Sequence, residues 1–164
     1  MSTQQAHLKS NQVITPNELL AHWQGQRKLT RKLIEIYPEE HFFKYSIGGM
    51  RTFAQMTMEL LAIAGPGLKE IVTGQTQELQ EHFDHQNNKN FLLKLWDEAT
   101  VEIDTYFVQI ALDRFSNSVK NFGQYEGTVI SSILYFIDNE IHHRGQAYVY
   151  LRSLGIEPPF FWER

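Results

Sequence analysis

The strongest constraint on this chain is a set of four long stretches in which apolar residues recur every three or four positions. That spacing lines the apolar side chains along one face of a helix, whereas a half-buried strand needs a period of two. The first stretch, "TPNELLAHWQGQRKLTRKLIEIY", carries its own start signal. Thr15 suits the N-cap, Pro16 the first helical position, and Glu18 completes a capping box. Leu19, Trp23, Leu29, Leu33 and Ile34 supply its apolar stripe, and Pro38 stops it. The second stretch, "MRTFAQMTMELLAIA", is expected to break at Gly65-Pro66-Gly67, with "LKEIVTG" continuing at an angle because proline lacks the backbone donor. A polar loop over residues 74–90 leads to the third, "NFLLKLWDEATVEIDTYFVQIAL". The link "DRFSNSVKNFGQYEG" reads as irregular. "GTVISSILYF" imitates a strand but runs into a helical pattern without a breaker, so the fourth helix spans about Thr128 to Leu154 and ends at Gly155. Four long helices joined by loops predict an all-α fold, a four-helix bundle.

The 164 residues show no repeat and no composition break. They divide into a polar N-terminal arm, residues 1–14, and a single bundle domain, residues 15–164. The chain has no cysteine, which excludes disulfides, thiolate zinc sites and a cysteine nucleophile. The first residues, "MSTQQAHLKSNQ", lack the apolar segment of a signal peptide, and no run of about 18 apolar residues exists. A cytoplasmic protein without a membrane partner is the expectation, although a cysteine-free chain suits the periplasm equally. The net charge of -4 and scattered basic residues predict no nucleic-acid partner.

On the fourth helix, Ser132, Tyr135, Asn139, His143, Gln146 and Tyr150 lie within about 40° of one direction at 100° per residue. A solvated face would carry Lys and Glu; these hydrogen-bonding groups suit a bundle interior. Asn139 and His143, spaced i, i+4, project from successive turns of one face and are placed to grip one ion together. His142 lies roughly 100° away from His143, so the adjacent pair does not share a metal. His143 as a core histidine satisfied by hydrogen bonds is the competing reading. Arg144 reads as a partner for Glu140 or another surface carboxylate. On the second helix Glu59 lies within about 60° of Thr52, Met56 and Ile63, a carboxylate on a mostly apolar face. A buried carboxylate requires a cation, a histidine or a donor; Glu59 either escapes to the helix edge, pairs with Arg51 or another base, or meets the polar stripe of the fourth helix.

The segment "NEIHHRGQAYVYLRSLGIEPP" closely resembles the last helix of the DinB/YfiT-like family, and "MRTFAQMTMEL" its second; the likeness spans about residues 15–160. The resemblance implies an up-down-down-up bundle, homodimers, and in many members a zinc or nickel ion held by three histidines, one from helix 2 and two from helix 4 in an HxxxH pattern. Some members are transferases or isomerases that use low-molecular-weight thiols. Carried onto this sequence, His143 matches one ligand, while Asn139 and Glu59 stand at the other two positions. His142 matches a neighbour of the ligand that does not itself bind, and joins Gln146, Tyr135 and Tyr150 as cavity residues.

One imidazole, one amide oxygen and one carboxylate make a weak zinc or nickel site and lean toward manganese or magnesium, or toward no tightly held ion. A metal-free alternative is a hydrogen bond from His143 to Glu59, with Asn139 and Gln146 bridging. Two functions follow. One is a metal-dependent thiol transferase, or related enzyme, with an altered Glu/Asn/His site and an unidentified small-molecule substrate. The other is a non-catalytic small-molecule-binding or stress-related module that has lost tight metal binding. The tail residues Phe160, Phe161 and Trp162 are expected to pack on the bundle or on a partner chain.

Overall fold

The computed structural model describes residues 13–164, so all but the last two residues of the predicted N-terminal arm lie outside it. Four long helices dominate: α1 (Pro16–Ile36), α3 (Phe53–Thr73), α4 (Lys89–Phe107) and α5 (Val129–Ser153). A single short turn of helix, α2 (Glu39–Phe42), follows α1. The predicted capping box opens α1, with Glu18 N–H donating to Thr15 Oγ1 at 3.2 Å and Thr15 N–H to Glu18 Oε2 at 2.8 Å. Equivalent boxes open α3 at Thr52 and Gln55, and α5 at Thr128 and Ser131. Gly155 follows α5 at φ +75°, a left-handed backbone that glycine adopts without a Cβ clash.

Side-chain contacts fix the topology. Gln24 bonds to Asp104 and Arg31 to Asp97, so α1 and α4 run antiparallel. Trp23 meets Phe136 and Thr30 meets Glu140, so α1 and α5 run parallel. Glu59 reaches Asn139 while Gly67 lies against Phe136, so α3 and α5 run antiparallel. The starts of α3 and α4 share one core cluster and their ends share the other, which makes them parallel. In chain order the long helices therefore run up, down, down, up, the topology that the family resemblance implies.

Three local expectations are corrected. The second helix does not break at Pro66: α3 is continuous through it. The flanking glycines serve packing instead. A Cβ on Gly67 would lie 2.5 Å from the Phe136 ring, and one on Gly65 2.6 Å from Glu102 Oε2. The third helix ends at Phe107, although the buried Ile110 extends its apolar pattern beyond the helix. The irregular link contains a 3-10 turn, Leu112–Ser116, and a hairpin of β1 (Ser118–Asn121) and β2 (Tyr125–Thr128). The strands pair antiparallel, with Ser118 opposite Thr128 and Asn121 opposite Tyr125. Phe122 and Gly123, both at positive φ, turn the hairpin.

Arg144 and Glu140 are not a surface pair. Both are buried, with Arg27, in a polar layer between α1, α4 and α5. Glu140 accepts from the Thr30 hydroxyl at 2.6 Å and lies 3.7 Å from Arg27 Nη1. Arg144 donates to the Gln26 carbonyl at 3.0 Å and to Thr30 Oγ1 at 3.1 Å. Arg27 donates to the Trp96 carbonyl at 3.1 Å and sits 4.0 Å over the Trp96 ring. Burial pushes the Glu140 carboxyl up, against the opposing pull of Arg27, Thr30 and Arg144.

Candidate functional site

The start of α3 faces the middle of α5, and here the polar stripe meets its counterpart. Glu59, two turns into α3, is 8% exposed, and His143 on α5 is 4% exposed. Asn139 Nδ2 donates to Glu59 Oε1 at 3.1 Å, and His143 Nε2 lies 3.2 Å from the same oxygen. The other carboxylate oxygen, Oε2, pairs with Arg51 Nη2. That same guanidinium nitrogen stands 3.3 Å from His143 Nε2. Burial alone would raise the Glu59 carboxyl, but hydrogen bonds from His143 and Asn139, the His143 charge and the Arg51 hydrogen bond outweigh it and bring it down to about 2.

A second tier orients these groups. His143 Nδ1 lies 2.7 Å from Gln146 Oε1, which places the ring proton on Nδ1. Gln146 in turn reaches Met50 Sδ at 3.7 Å. Tyr150, fully buried, donates its hydroxyl to the Arg51 carbonyl at 2.8 Å and anchors the chain just before α3. His143 Nε2 thus faces an acceptor, Glu59, and a donor, Arg51. A neutral ring accepts from Arg51; a protonated ring donates to Glu59.

The structure therefore brings together Glu59, Asn139, His143 and Gln146, and ties in Tyr150 through the backbone. His142 is exposed and meets the His143 ring edge-on, at 5.0 Å between centroids. Tyr135 is 56% exposed and lines an adjoining cleft. Arg51 sits at the centre of the cluster. Sequence reasoning had it only as one of several partners for Glu59, because a residue ahead of the N-cap lies outside the helical angles used to find the rest.

The donor set does not fit a zinc or nickel ion. It offers one imidazole, and Asn139 turns its amide nitrogen, not its oxygen, toward Glu59. Both Glu59 oxygens are already engaged, one of them by a guanidinium. Arg51 places positive charge between the carboxylate and the imidazole, where a cation would otherwise balance Glu59. Among the described residues no group of three or more His, Asp or Glu is arranged to hold an ion.

Beyond this cluster a cleft of about 300 Å³ opens between the hairpin, α3 and α5. Ile63, one turn after Glu59, and Tyr135, one turn before Asn139, form the shared wall. A wider groove of about 620 Å³ lies between α3, α4 and the segment 74–88, and contains none of the clustered residues.

Known proteins agree with this architecture. The sequence profile of the DinB family matches residues 1–163. The chain is 26% identical over 152 residues to YjoA of Bacillus subtilis (strain 168), covering 90% of this chain and 97% of that protein. The crystal structure of YjoA, a DinB-like protein, superposes with a TM-score of 0.69 at 21% identity, over 88% of this chain and 97% of that one. A DinB-like protein from Bacillus cereus ATCC 10987 gives 0.69 at 15% identity, over 89% and 97%. The mycothiol-dependent maleylpyruvate isomerase gives 0.59 at 13% identity, over 82% of this chain and 61% of that one. These structural likenesses show the fold alone.

Proposed function

The chain belongs to the DinB family, and from that premise we propose that it is a small-molecule-binding member in which an Arg51–Glu59–His143 cluster replaces a metal centre. The observation that carries this reading is the Arg51 guanidinium, paired with Glu59 and 3.3 Å from His143 Nε2. It balances the charge of a carboxylate that has almost no access to water. Glu59, held ionised, cannot donate a proton near neutral pH; its role is to orient His143 and Asn139 and to hold Arg51. The assembly we propose is a homodimer, as the family resemblance implies. Metal analysis of tag-free protein from cells supplemented with zinc, nickel and manganese tests the reading. Substoichiometric metal is expected; stoichiometric metal that disappears in His143→Ala would overturn it.

A catalytic reading draws on the same pair. Group transfer with a small thiol needs a base to take the thiol proton and a cation to hold the thiolate. His143 Nε2 and Arg51 Nη2, 3.3 Å apart, supply both, and 43% of the Arg51 side chain is open to solvent. Calorimetric binding of glutathione that its S-methyl ether does not match supports this reading, and equal binding removes it.

A further inference from the structure

The cleft beside the cluster has a one-sided chemistry. Its floor is apolar, with Ile63, Leu79 and Phe136. Its polar side chains are carboxylates, hydroxyls and the Asn121 amide, and among the described residues no lysine, arginine or histidine lines it. Glu126, at the open rim, is paired with Lys120 at 3.4 Å. Glu81, half-buried in the wall, has no cationic partner among the described residues. Asn121 provides an independent observation. It is 2% exposed, and its amide nitrogen donates to the Gly67 carbonyl at 3.1 Å. The residue contributes to the cleft wall, and its side-chain oxygen, buried behind that wall, has no partner among the described residues. A buried acceptor left unpaired is costly, and such groups mark sites completed by something else.

The wall that carries these groups is held in place. Phe122 N–H donates to Glu70 Oε2 at 2.7 Å, which fixes the hairpin turn on α3 in its left-handed conformation. Tyr125 and Tyr135, both more than half exposed, stand at the mouth. Their rings present negative faces to a cation. Lys120 balances Glu126 at the rim, but an anion entering further would meet Glu81 with no cation beside it among the described residues; a neutral apolar molecule would leave Glu81 without a partner.

We propose that this cleft binds an organic cation, an ammonium or amidinium carried on a small apolar body, with the charge at Glu81 and the apolar part on Ile63, Leu79 and Phe136. The volume of about 300 Å³ suits a ligand of one ring and a short arm. This rests on the small-molecule-binding reading above and names the ligand class for it.

Titration calorimetry on the full chain tests it with three probes that share a phenyl ring on a short arm and differ in the charge of its end group: phenethylammonium, 2-phenylethanol and 3-phenylpropionate. Phenethylammonium is expected to bind best, and Glu81→Gln to weaken it by about tenfold or more, the scale of one charge-assisted contact. Glu81 lies outside the helices and makes no ion pair among the described residues, so that variant is expected to keep the wild-type melting temperature. Binding of 3-phenylpropionate or of the neutral alcohol as tight as that of phenethylammonium, or an affinity that Glu81→Gln leaves unchanged, would overturn the cation assignment while leaving small-molecule binding intact. If none of the three binds, the cleft proposal fails, and the replacement of metal by Arg51 is decided separately by metal analysis.

Discussion

Ionised Glu59 is approached from three sides, by Asn139, His143 and Arg51, and this governs how the cluster responds to acid. Its carboxyl titrates at about 2 in the folded chain, against 4.5 for the unperturbed group. Because the folded value is the lower one, the cluster's stabilisation is complete above pH 4.5 and is lost as pH falls toward 2. A shift of that size corresponds to roughly 3 kcal/mol. Urea midpoints measured against pH should show this loss in the wild type and not in Glu59→Gln; parallel curves would remove Glu59 as its source. The angular arithmetic that placed Asn139 and His143 on one side of α5 and His142 on another needed only the helical repeat, so that part of the site was legible in the sequence. The burial of Arg144 with Glu140 was not. Their i, i+4 spacing is the same on a wet face and a dry one, and the deciding partner, Thr30, lies 110 residues away from Glu140.

Helix α3 shows how a local signal can be overruled by packing. Gly65-Pro66-Gly67 has the composition of a break, and a proline inside a helix forfeits one backbone bond. Here the neighbouring helices gain close approach in return: Phe136 of α5 lies where a Gly67 side chain would be, and Glu102 of α4 lies against Gly65. These two contacts differ in what can yield. The Phe136 ring is 3% exposed and packed in the core, whereas Glu102 ends in a flexible carboxylate at the surface of the groove. Gly67→Ala should therefore destabilise the fold by about 1–3 kcal/mol through overpacking. Gly65→Ala should be neutral or slightly stabilising, since alanine favours the helix over glycine by about 1 kcal/mol. Chemical denaturation of the two variants checks this; equal effects would show that α3 and α5 can separate locally. The hairpin went unread because its strands, four residues each, are too short for alternation to register. Asn121 and Glu70, which attach it to α3, also lie far apart in sequence.

For the molecule as a whole, α5 is the common wall of the bundle. One face meets α3 at the Glu59 cluster, another meets α1 at the buried Glu140 layer, and Ile141 and Val149 remain partly exposed, at 38% and 56%. The C-terminal tail adds Phe160, Phe161 and Trp162 at 48%, 65% and 61% exposure, with Phe160 and Trp162 stacked at 4.6 Å. The tail lies along the bundle surface, where Glu163 pairs with Lys32 on α1 at 2.7 Å. Scattered apolar residues on a surface need no partner, but a contiguous group of three exposed aromatics is the kind of patch that an interface covers. The proposed homodimer gives these rings a second copy of the chain to pack against. Light scattering at micromolar concentration should then report twice the 19.2 kDa chain mass. Replacing Phe161 and Trp162 together by serine should shift that mass to a single chain with little change in melting temperature, because neither ring belongs to the core. A wild-type monomer throughout the micromolar range would defeat the dimer. A dimer unaffected by the double substitution would place its interface elsewhere, with the exposed residues of α5 as the next surface to alter.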